Sequence, residues 1–376
     1  MWGDIAIAFL LAFITAFVLT PYTIRVAKKI GAIDIPKDER RMHNKPIPKF
    51  GGPAIVIGFL IAVIYLIVTS TIEGKLDIFG EEQYWLKLLG FVLGSMVINT
   101  FCYFDDIKGI KPYVKLLGQL IGAIIVVACG VRIDNFTLPF LEGNIVLGNI
   151  FSITLTIFWI VGITNAINLI DGLDGLSSGI SIISCICLLI IFALNGSPLV
   201  AIIMITALVG ALAGFLPFNF NPAKTFIGDI GTNFIGYTLS VVSILGIAKT
   251  ATAFVVVLPI IVLGLPIFDT LSAIVRRLVK GKSIKAVFQA DKGHLHHKLI
   301  AKGFTQKEAV LMLYGISVAC GMFAVILFES DIWKAISFAL LVVAVVAIGY
   351  KEFMQLKKQE IEENNEIKEN LKGDKE

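Results

Sequence analysis

The stretch Gly51-Gly-Pro-Ala-Ile-Val-Ile-Gly-Phe-Leu-Ile-Ala-Val-Ile-Tyr-Leu-Ile-Val-Thr-Ser-Thr-Ile72 carries no charged residue. As a helix it spans the ~30 Å of hydrocarbon that needs about 20 apolar residues. No polar stripe recurs along it to mark a face turned to water. It reads as a transmembrane helix. Working outward, similar runs cover 5–24, 85–104, 112–129, 149–167, 177–194, 199–217, 230–248, 251–275, 309–328 and 334–350. The expectation is an all-α integral membrane protein, a polytopic bundle of about eleven transmembrane helices. One domain would cover 1–350, with a charged cytoplasmic tail over 351–376.

Composition agrees. Of the 376 residues, 57% are hydrophobic and only 16% charged, with a mean hydropathy of +0.87. A soluble domain carries about 25% charged residues, so soluble, disordered and fibrous classes are excluded. The five cysteines fit no zinc or redox spacing and read as small core residues. The start, Met1-Trp2-Gly3-Asp4, lacks the basic opening of a signal peptide, so the first helix is expected to be retained. One set of loops holds Lys28, Lys29, Arg40, Arg41, Lys45, Lys49, Lys108, Lys111, Lys115, Lys224 and the basic run 276–307. The opposite loops hold little beyond Lys75, Arg132, Lys249 and Lys334. The positive-inside rule then sets the N-terminus outside and the C-terminus in the cytoplasm. The charges flank a membrane, and no nucleic-acid partner is expected.

The polar clusters fall on that cytoplasmic side. Asp105-Asp106 ends the third run, close to Lys115. Neighbouring helical residues face different ways, so the two carboxylates can serve different partners; a solvated helix end is the plain alternative. In Asn165-Ala-Ile-Asn168-Leu-Ile-Asp171-Gly-Leu-Asp174-Gly175, Asn165 and Asn168 share a helical face. Such groups at the mouth of an apolar helix are costly unless used. Gly228-Asp229-Ile230-Gly231 offers a carboxylate at a helix start, either an N-cap or a metal ligand. The basic run 276–307 begins with Arg276-Arg277 and contains His294-Leu295-His296-His297. It lacks zinc-ligand spacing and suits anionic phosphates. Arg41-Met42-His43, with Pro46-Ile47-Pro48 and Gly51-Gly52, forms a shaped basic segment beside the membrane. The oxygen-rich set suits Mg²⁺, or Mn²⁺, with phosphorylated substrates, one of them a lipid. A transporter of an anionic solute is the rival, but it would want charges at mid-bilayer and paired broken helices.

In this order, Asp105-Asp106, the 165–176 run, Gly228-Asp229-Ile230-Gly231 and His294-Leu295-His296-His297 resemble the polyprenyl-phosphate N-acetylhexosamine-1-phosphate transferases, glycosyltransferase family 4. The His segment and Arg41-Met42-His43 are similar to the branch using UDP-N-acetylglucosamine rather than the phospho-N-acetylmuramoyl-pentapeptide branch of peptidoglycan synthesis. The resemblance implies a bacterial inner-membrane enzyme with its active site on the cytoplasmic face. It would transfer N-acetylglucosamine 1-phosphate from UDP-N-acetylglucosamine to undecaprenyl phosphate, release UMP and start a cell-envelope glycan. A homodimer is left open. By the same resemblance Asp229 is the Mg²⁺ ligand, with Asn168 as a second. Asp105 or Asp106, assisted by Lys115, would position or deprotonate the lipid phosphate. Asn165, Asp171 and Asp174 would line the nucleotide site. His294, His296 and His297 with Arg276 or Arg277 would hold the sugar-phosphate side, and Arg41 and His43 would add to substrate binding. Because a phosphate monoester has a second pKa near 6, the acceptor is already largely a dianion at neutral pH. Direct single displacement is therefore expected over a covalent aspartyl-phosphate route.

Overall fold

The structure, a computed structural model, describes residues 2–36, 45–74, 84–136, 145–247, 257–281, 283, 293–330 and 332–346. Its helices are α1 (Trp2–Ile30), α2 (Gly52–Ile72), α3 (Tyr84–Lys108), α4 (Pro112–Ala128), α5 (Asn149–Ile170), α6 (Leu176–Asn195), α7 (Leu199–Asn219), α8 (Gly228–Ile247), α9 (Val257–Val262), α10 (Gly264–Gly281), α11 (Leu295–Ala301), α12 (Gln306–Glu329) and α13 (Ile332–Val346). Two antiparallel ribbons join them: β1 (Ile33–Asp34) with β2 (Ile47–Pro48), and β3 (Asn135–Phe136) with β4 (Ile145–Val146). Among the described residues seven helices, α1, α2, α3, α5, α6, α7 and α12, are long and apolar enough to cross a membrane. The chain is an all-helical, multi-pass membrane protein. Met1–Val325 forms one compact unit and Ile326–Glu376 a second; every site residue discussed below belongs to the first.

The run 251–275 departs from a single helix. Its described part is split into α9 and α10. Pro266 has no N–H to return to the Val262 carbonyl, so the helical ladder loses that bond. The Ser184 hydroxyl donates to this carbonyl instead, at 3.4 Å. α10 then continues to Gly281, so Arg276 and Arg277 lie on a helix rather than in the predicted loop, and the His segment forms α11.

Small residues set how closely the helices approach, as they do where lipid removes the hydrophobic drive between helices. α1 presents Ala8, Ala12, Ala16, Thr20, Thr23 and Ala27 as one buried face. Gly210 and Gly214 of α7 lie against the Phe9 and Phe13 carbonyls of α1. α7 is buried along nearly its whole length, and it packs on α1, α2 and α6. α8 packs on α5, α3 and α2. At Gly236 of α8 a Cβ would lie 2.7 Å from the Thr164 Cα of α5, so only glycine permits this crossing. Gly236→Leu should push α5 from α8 and cost about 1–3 kcal/mol, typical of overpacking. Thermal unfolding in detergent should fall accordingly, and an unchanged melt would mean that the two helices part freely.

These packings bring the C-terminal ends of α3 and α5 to the N-terminal ends of α4 and α8. The segment after β2 is sewn onto the same corner. Phe226 N–H donates to the Pro48 carbonyl at 2.8 Å, Gly51 N–H to Phe226 at 3.0 Å and Gly52 N–H to Ile227 at 2.7 Å. Prolines at 46 and 48 keep this segment out of a helix and leave the Pro48 carbonyl for the 225–227 chain. Gly52 and Gly231 then cross at backbone contact, the Gly231 Cβ position lying 2.7 Å from the Gly52 Cα. That close approach accounts for Gly52, while a Cβ at Gly51 would meet the Phe215 ring and the Phe226 carbonyl.

Candidate active site

Asp229 enters the site on the first turn of α8. Gly228 before it turns at φ +77°, a left-handed conformation that disfavours a side chain, and a Cβ there would also press on Asp106. Asp229 is not the N-cap that a carboxylate at a helix start often is. The cap comes from α3 instead. Asp106, only 2% exposed, accepts the Asp229 N–H at 2.9 Å on Oδ1 and the Ile230 N–H at 3.1 Å on Oδ2. Two of the amides that a helix start leaves unpaired are thereby satisfied. Lys49 lies 3.8 Å from the same carboxylate.

With its amide held, the Asp229 side chain faces α4 and α5. Its Oδ1 pairs with the Lys115 ammonium and accepts from Asn168 Nδ2 at 2.9 Å. Asn168 Nδ2 also reaches Thr232 Oγ1 at 2.8 Å, and its carbonyl accepts from Lys115 at 3.1 Å. Lys115 thus stands on two oxygens, Asp229 Oδ1 and Asn168 Oδ1, and lies 3.4 Å from Asp105 Oδ2. Asp105 Oδ1 takes the Ile110 N–H at 2.9 Å and closes the α3–α4 turn. Asp105 and Asp106 therefore do serve different partners.

Asn165 sits one turn deeper than Asn168. Its Nδ2 donates to Gln119 Oε1 at 2.6 Å and to the Val161 carbonyl at 2.9 Å. Gln119 Nε2 donates to Asn233 Oδ1 at 2.6 Å, and Asn233 Nδ2 to the Asp229 carbonyl at 2.8 Å. This amide chain underpins the turn carrying Asp229.

A polar cavity of about 390 Å³ opens beside these groups, lined among others by Asp106, Asn168, Asp171, Asp174, Asp229 and Lys49. Asp171 follows α5; burial, with Asp229 next in weight, pushes its carboxyl up to about 7. Asp174 accepts from Asn221 Nδ2 at 2.9 Å and from the Ala223 N–H at 3.0 Å, tying the 171–175 loop to the 219–226 chain. Asn219, Gln306 and Asp34 line the same cavity.

The His segment closes on this loop. His296, 2% exposed, lies with its ring against Gly172, which has no side chain to obstruct it. Burial, with His297 and His294 beside it, holds the His296 imidazole down to about 3, so it is neutral. The rings of His296 and His297 lie 4.2 Å apart and those of His294 and His296 5.7 Å. His294 is engaged by protein on both ring nitrogens: Nδ1 with Asp269 at 2.8 Å and Nε2 with Arg277 at 3.3 Å. Arg276 lies over Gly293. Arg41 and His43 lie outside the described residues. Among the described residues no cluster of three or more His, Cys, Asp or Glu has the arrangement of a metal site made from those side chains alone.

Sequence reading missed Gln119, Asn233, Gln306 and Asp269. Asp269 carried a usable signal, since an ionisable residue inside an apolar run marks function by default. The amides gave no signal, because each acts through a neighbour distant in sequence.

Long apolar helices with a buried acidic corner and two lysines at one end define the class: a polytopic membrane protein with a polar site where its helix ends meet. Comparison makes that specific. Residues 88–247 match the model of glycosyl transferase family 4, a stretch that holds Asp105, Lys115, Asn168, Asp171 and Asp229. The chain is 36% identical over 332 residues to a probable undecaprenyl-phosphate N-acetylglucosaminyl 1-phosphate transferase of Bacillus subtilis, covering 88% of this chain and 87% of that protein. It is 33% identical over 366 residues to a decaprenyl-phosphate N-acetylglucosaminephosphotransferase of Mycolicibacterium smegmatis, covering 91% and 87%. A phospho-N-acetylmuramoyl-pentapeptide-transferase of Limosilactobacillus reuteri is 31% identical over 247 residues, covering 62% and 72%. This chain belongs to glycosyl transferase family 4.

Proposed function

We propose that the protein transfers N-acetylglucosamine 1-phosphate from UDP-N-acetylglucosamine to a polyprenyl phosphate, of which undecaprenyl phosphate is the bacterial form. The products are polyprenyl-diphosphate-N-acetylglucosamine and UMP, and the lipid-linked sugar begins a cell-envelope glycan. The observation that carries this reading is the excess of carboxylates over cations around one cavity. Asp106, Asp171, Asp174 and Asp229 line it, against Lys49 on its wall and Lys115 beside it. Carboxylates crowded without enough cation repel one another, and a divalent ion relieves that as it brings phosphates in.

The residues present fit Mg²⁺, or Mn²⁺ in its place. The donors are hard oxygens, and a cation, the Lys115 ammonium, already stands on Asp229 Oδ1 and Asn168 Oδ1. Asp229 and Asn168 would hold the metal, which supplies charge neutralisation at the donor diphosphate. Lys115 and Asp105 orient the acceptor phosphate. That phosphate needs no strong base, and Asp106, with both oxygens on α8 amides, acts as a cap. Asp171 and the His296 wall face the donor, with Arg276 and Arg277 on its sugar-phosphate side. The basic residues Lys49, Lys108, Lys111, Lys115 and Lys224 gather at the cavity end of the bundle. This supports a cytoplasmic active site in the bacterial inner membrane; with about eleven crossings in all, the N-terminus lies outside and the C-terminus inside.

The test is a transfer assay with purified protein, radiolabelled UDP-N-acetylglucosamine, undecaprenyl phosphate and a Mg²⁺ titration. Label should enter the organic phase only with lipid and metal together. No transfer, or transfer indifferent to chelation, would reject the proposal. In the arm without lipid UMP should stay bound up in the donor; a stoichiometric burst of UMP would replace direct displacement with a covalent intermediate.

A further inference from the structure

Asp269 takes no part in the reaction just described, yet among the described residues it is one of the most enclosed charged groups, at 3% exposure inside α10. An ionisable side chain kept in an apolar helix needs a partner, and here both oxygens have one. Oδ1 accepts the Leu295 N–H at 2.9 Å, a bond to the first turn of α11. Oδ2 takes His294 Nδ1 at 2.8 Å. A carboxylate only accepts, so the Nδ1 position carries the proton. The neutral ring then offers a lone pair on Nε2, and Nε2 faces the guanidinium of Arg277, a group that only donates, at 3.3 Å. Asp269, His294 and Arg277 form a polarised line, carboxylate to imidazole to guanidinium. The next imidazole along, His296, stacks near His294 and rests on Gly172 of the cavity wall.

We infer that Asp269 is a positioning residue for donor binding: by fixing the tautomer of His294 and the start of α11, it aims Arg277 and seats His296 against the 171–175 loop. The inference rests on the proposed transferase reading. It does not require Asp269 to touch substrate.

Asparagine at 269 keeps the shape but has one acceptor where two are needed. If its carbonyl serves Leu295, its NH₂ faces Nδ1 and drives the ring proton to Nε2, where it opposes Arg277. If it serves His294, the α11 amide is lost. The experiment measures steady-state kinetics of the full-length protein in lipid nanodiscs, varying UDP-N-acetylglucosamine and undecaprenyl phosphate in turn. Asp269→Asn should raise KM for the UDP-sugar about 10- to 100-fold, in the range seen for lost orienting partners, with KM for the lipid within about twofold of wild type. Asp269→Glu, which restores two acceptors, should recover at least part of the loss. In an Arg277→Ala background Asp269→Asn should cost clearly less than it does in wild type, since part of its effect runs through Arg277.

A merely structural role would lower melting temperature and active fraction and leave both KM values alone; that result overturns the inference, as does a full additive effect with Arg277→Ala. If Asp269→Asn yields no folded protein, His294→Gln, which removes the ring and leaves Asp269 its Leu295 amide, carries the test with the same readout. Wild-type protein inactive in every arm would instead count against the transferase reading, so the two failures are distinguishable.

Discussion

Asp229→Asn is expected to abolish transfer, lowering kcat by about a thousandfold or more, the scale at which a single preorganised charged or polar contact is lost from a reaction centre. The side chain is the point where three elements meet: α8 supplies it, α4 supplies Lys115 and α5 supplies Asn168. Asparagine keeps the size and loses the charge. It leaves the Lys115 ammonium with Asp105 at 3.4 Å, so stability also falls, by up to about 3 kcal/mol for one partner removed from a largely buried pair. A loss of activity alone would therefore not separate chemistry from unfolding. The double variant Asp229→Asn with Lys115→Met separates them for the Asp229–Lys115 pair taken together, since Lys115 also serves the acceptor phosphate. Removing both partners of a pair costs far less than removing one, so its melting temperature should return most of the way to wild type. Its activity should not return. Recovery of turnover above about a tenth of wild type in the double variant would take Asp229 out of the reaction.

How much of this was readable beforehand follows from the distance over which each signal acts. The membrane class was legible in residues 51–72 alone, because hydrocarbon thickness imposes a length that any single helix must show. The site residues Asp105, Asn168, Asp171 and Asp229 were legible as types, because polar groups at the ends of apolar helices stand out against their surroundings. Their division of labour was not. Asp105 and Asp106 are adjacent letters, yet one closes the α3–α4 turn and the other caps α8, more than a hundred residues away. Nothing local to Asp106 names Ile230 as its partner. Asn165 and Asn168 share a face as helical spacing predicts, but depth along that face decides which meets Asp229 and which meets Gln119. The broken run after 256 was hidden for a similar reason. Pro266 was visible, but the hydroxyl that takes up the freed carbonyl comes from Ser184 on another helix.

Asp106 carries the second large effect, and it separates a proton acceptor from a cap. As a general base it would hold its free oxygen toward substrate, and Asp106→Asn would stop the reaction without disturbing the fold. As a cap it holds each oxygen on an α8 amide. Asp106→Ala then leaves two buried N–H groups unsatisfied, at about 1–3 kcal/mol each, and α8 loses the anchor that sets where Asp229 projects. The expected result is a melting temperature clearly below wild type together with about a hundredfold loss of activity, the consequence of a displacement of roughly 1 Å at the reacting groups. Asp106→Asn retains one acceptor for one amide, so it should fall between wild type and alanine in both measurements. The decisive comparison is the ordering of the two variants. Stability and activity that decline in step, asparagine before alanine, identify the cap. An asparagine variant as stable as wild type and as inactive as alanine would make Asp106 the base, and the α8 amides would then have to find their partners elsewhere.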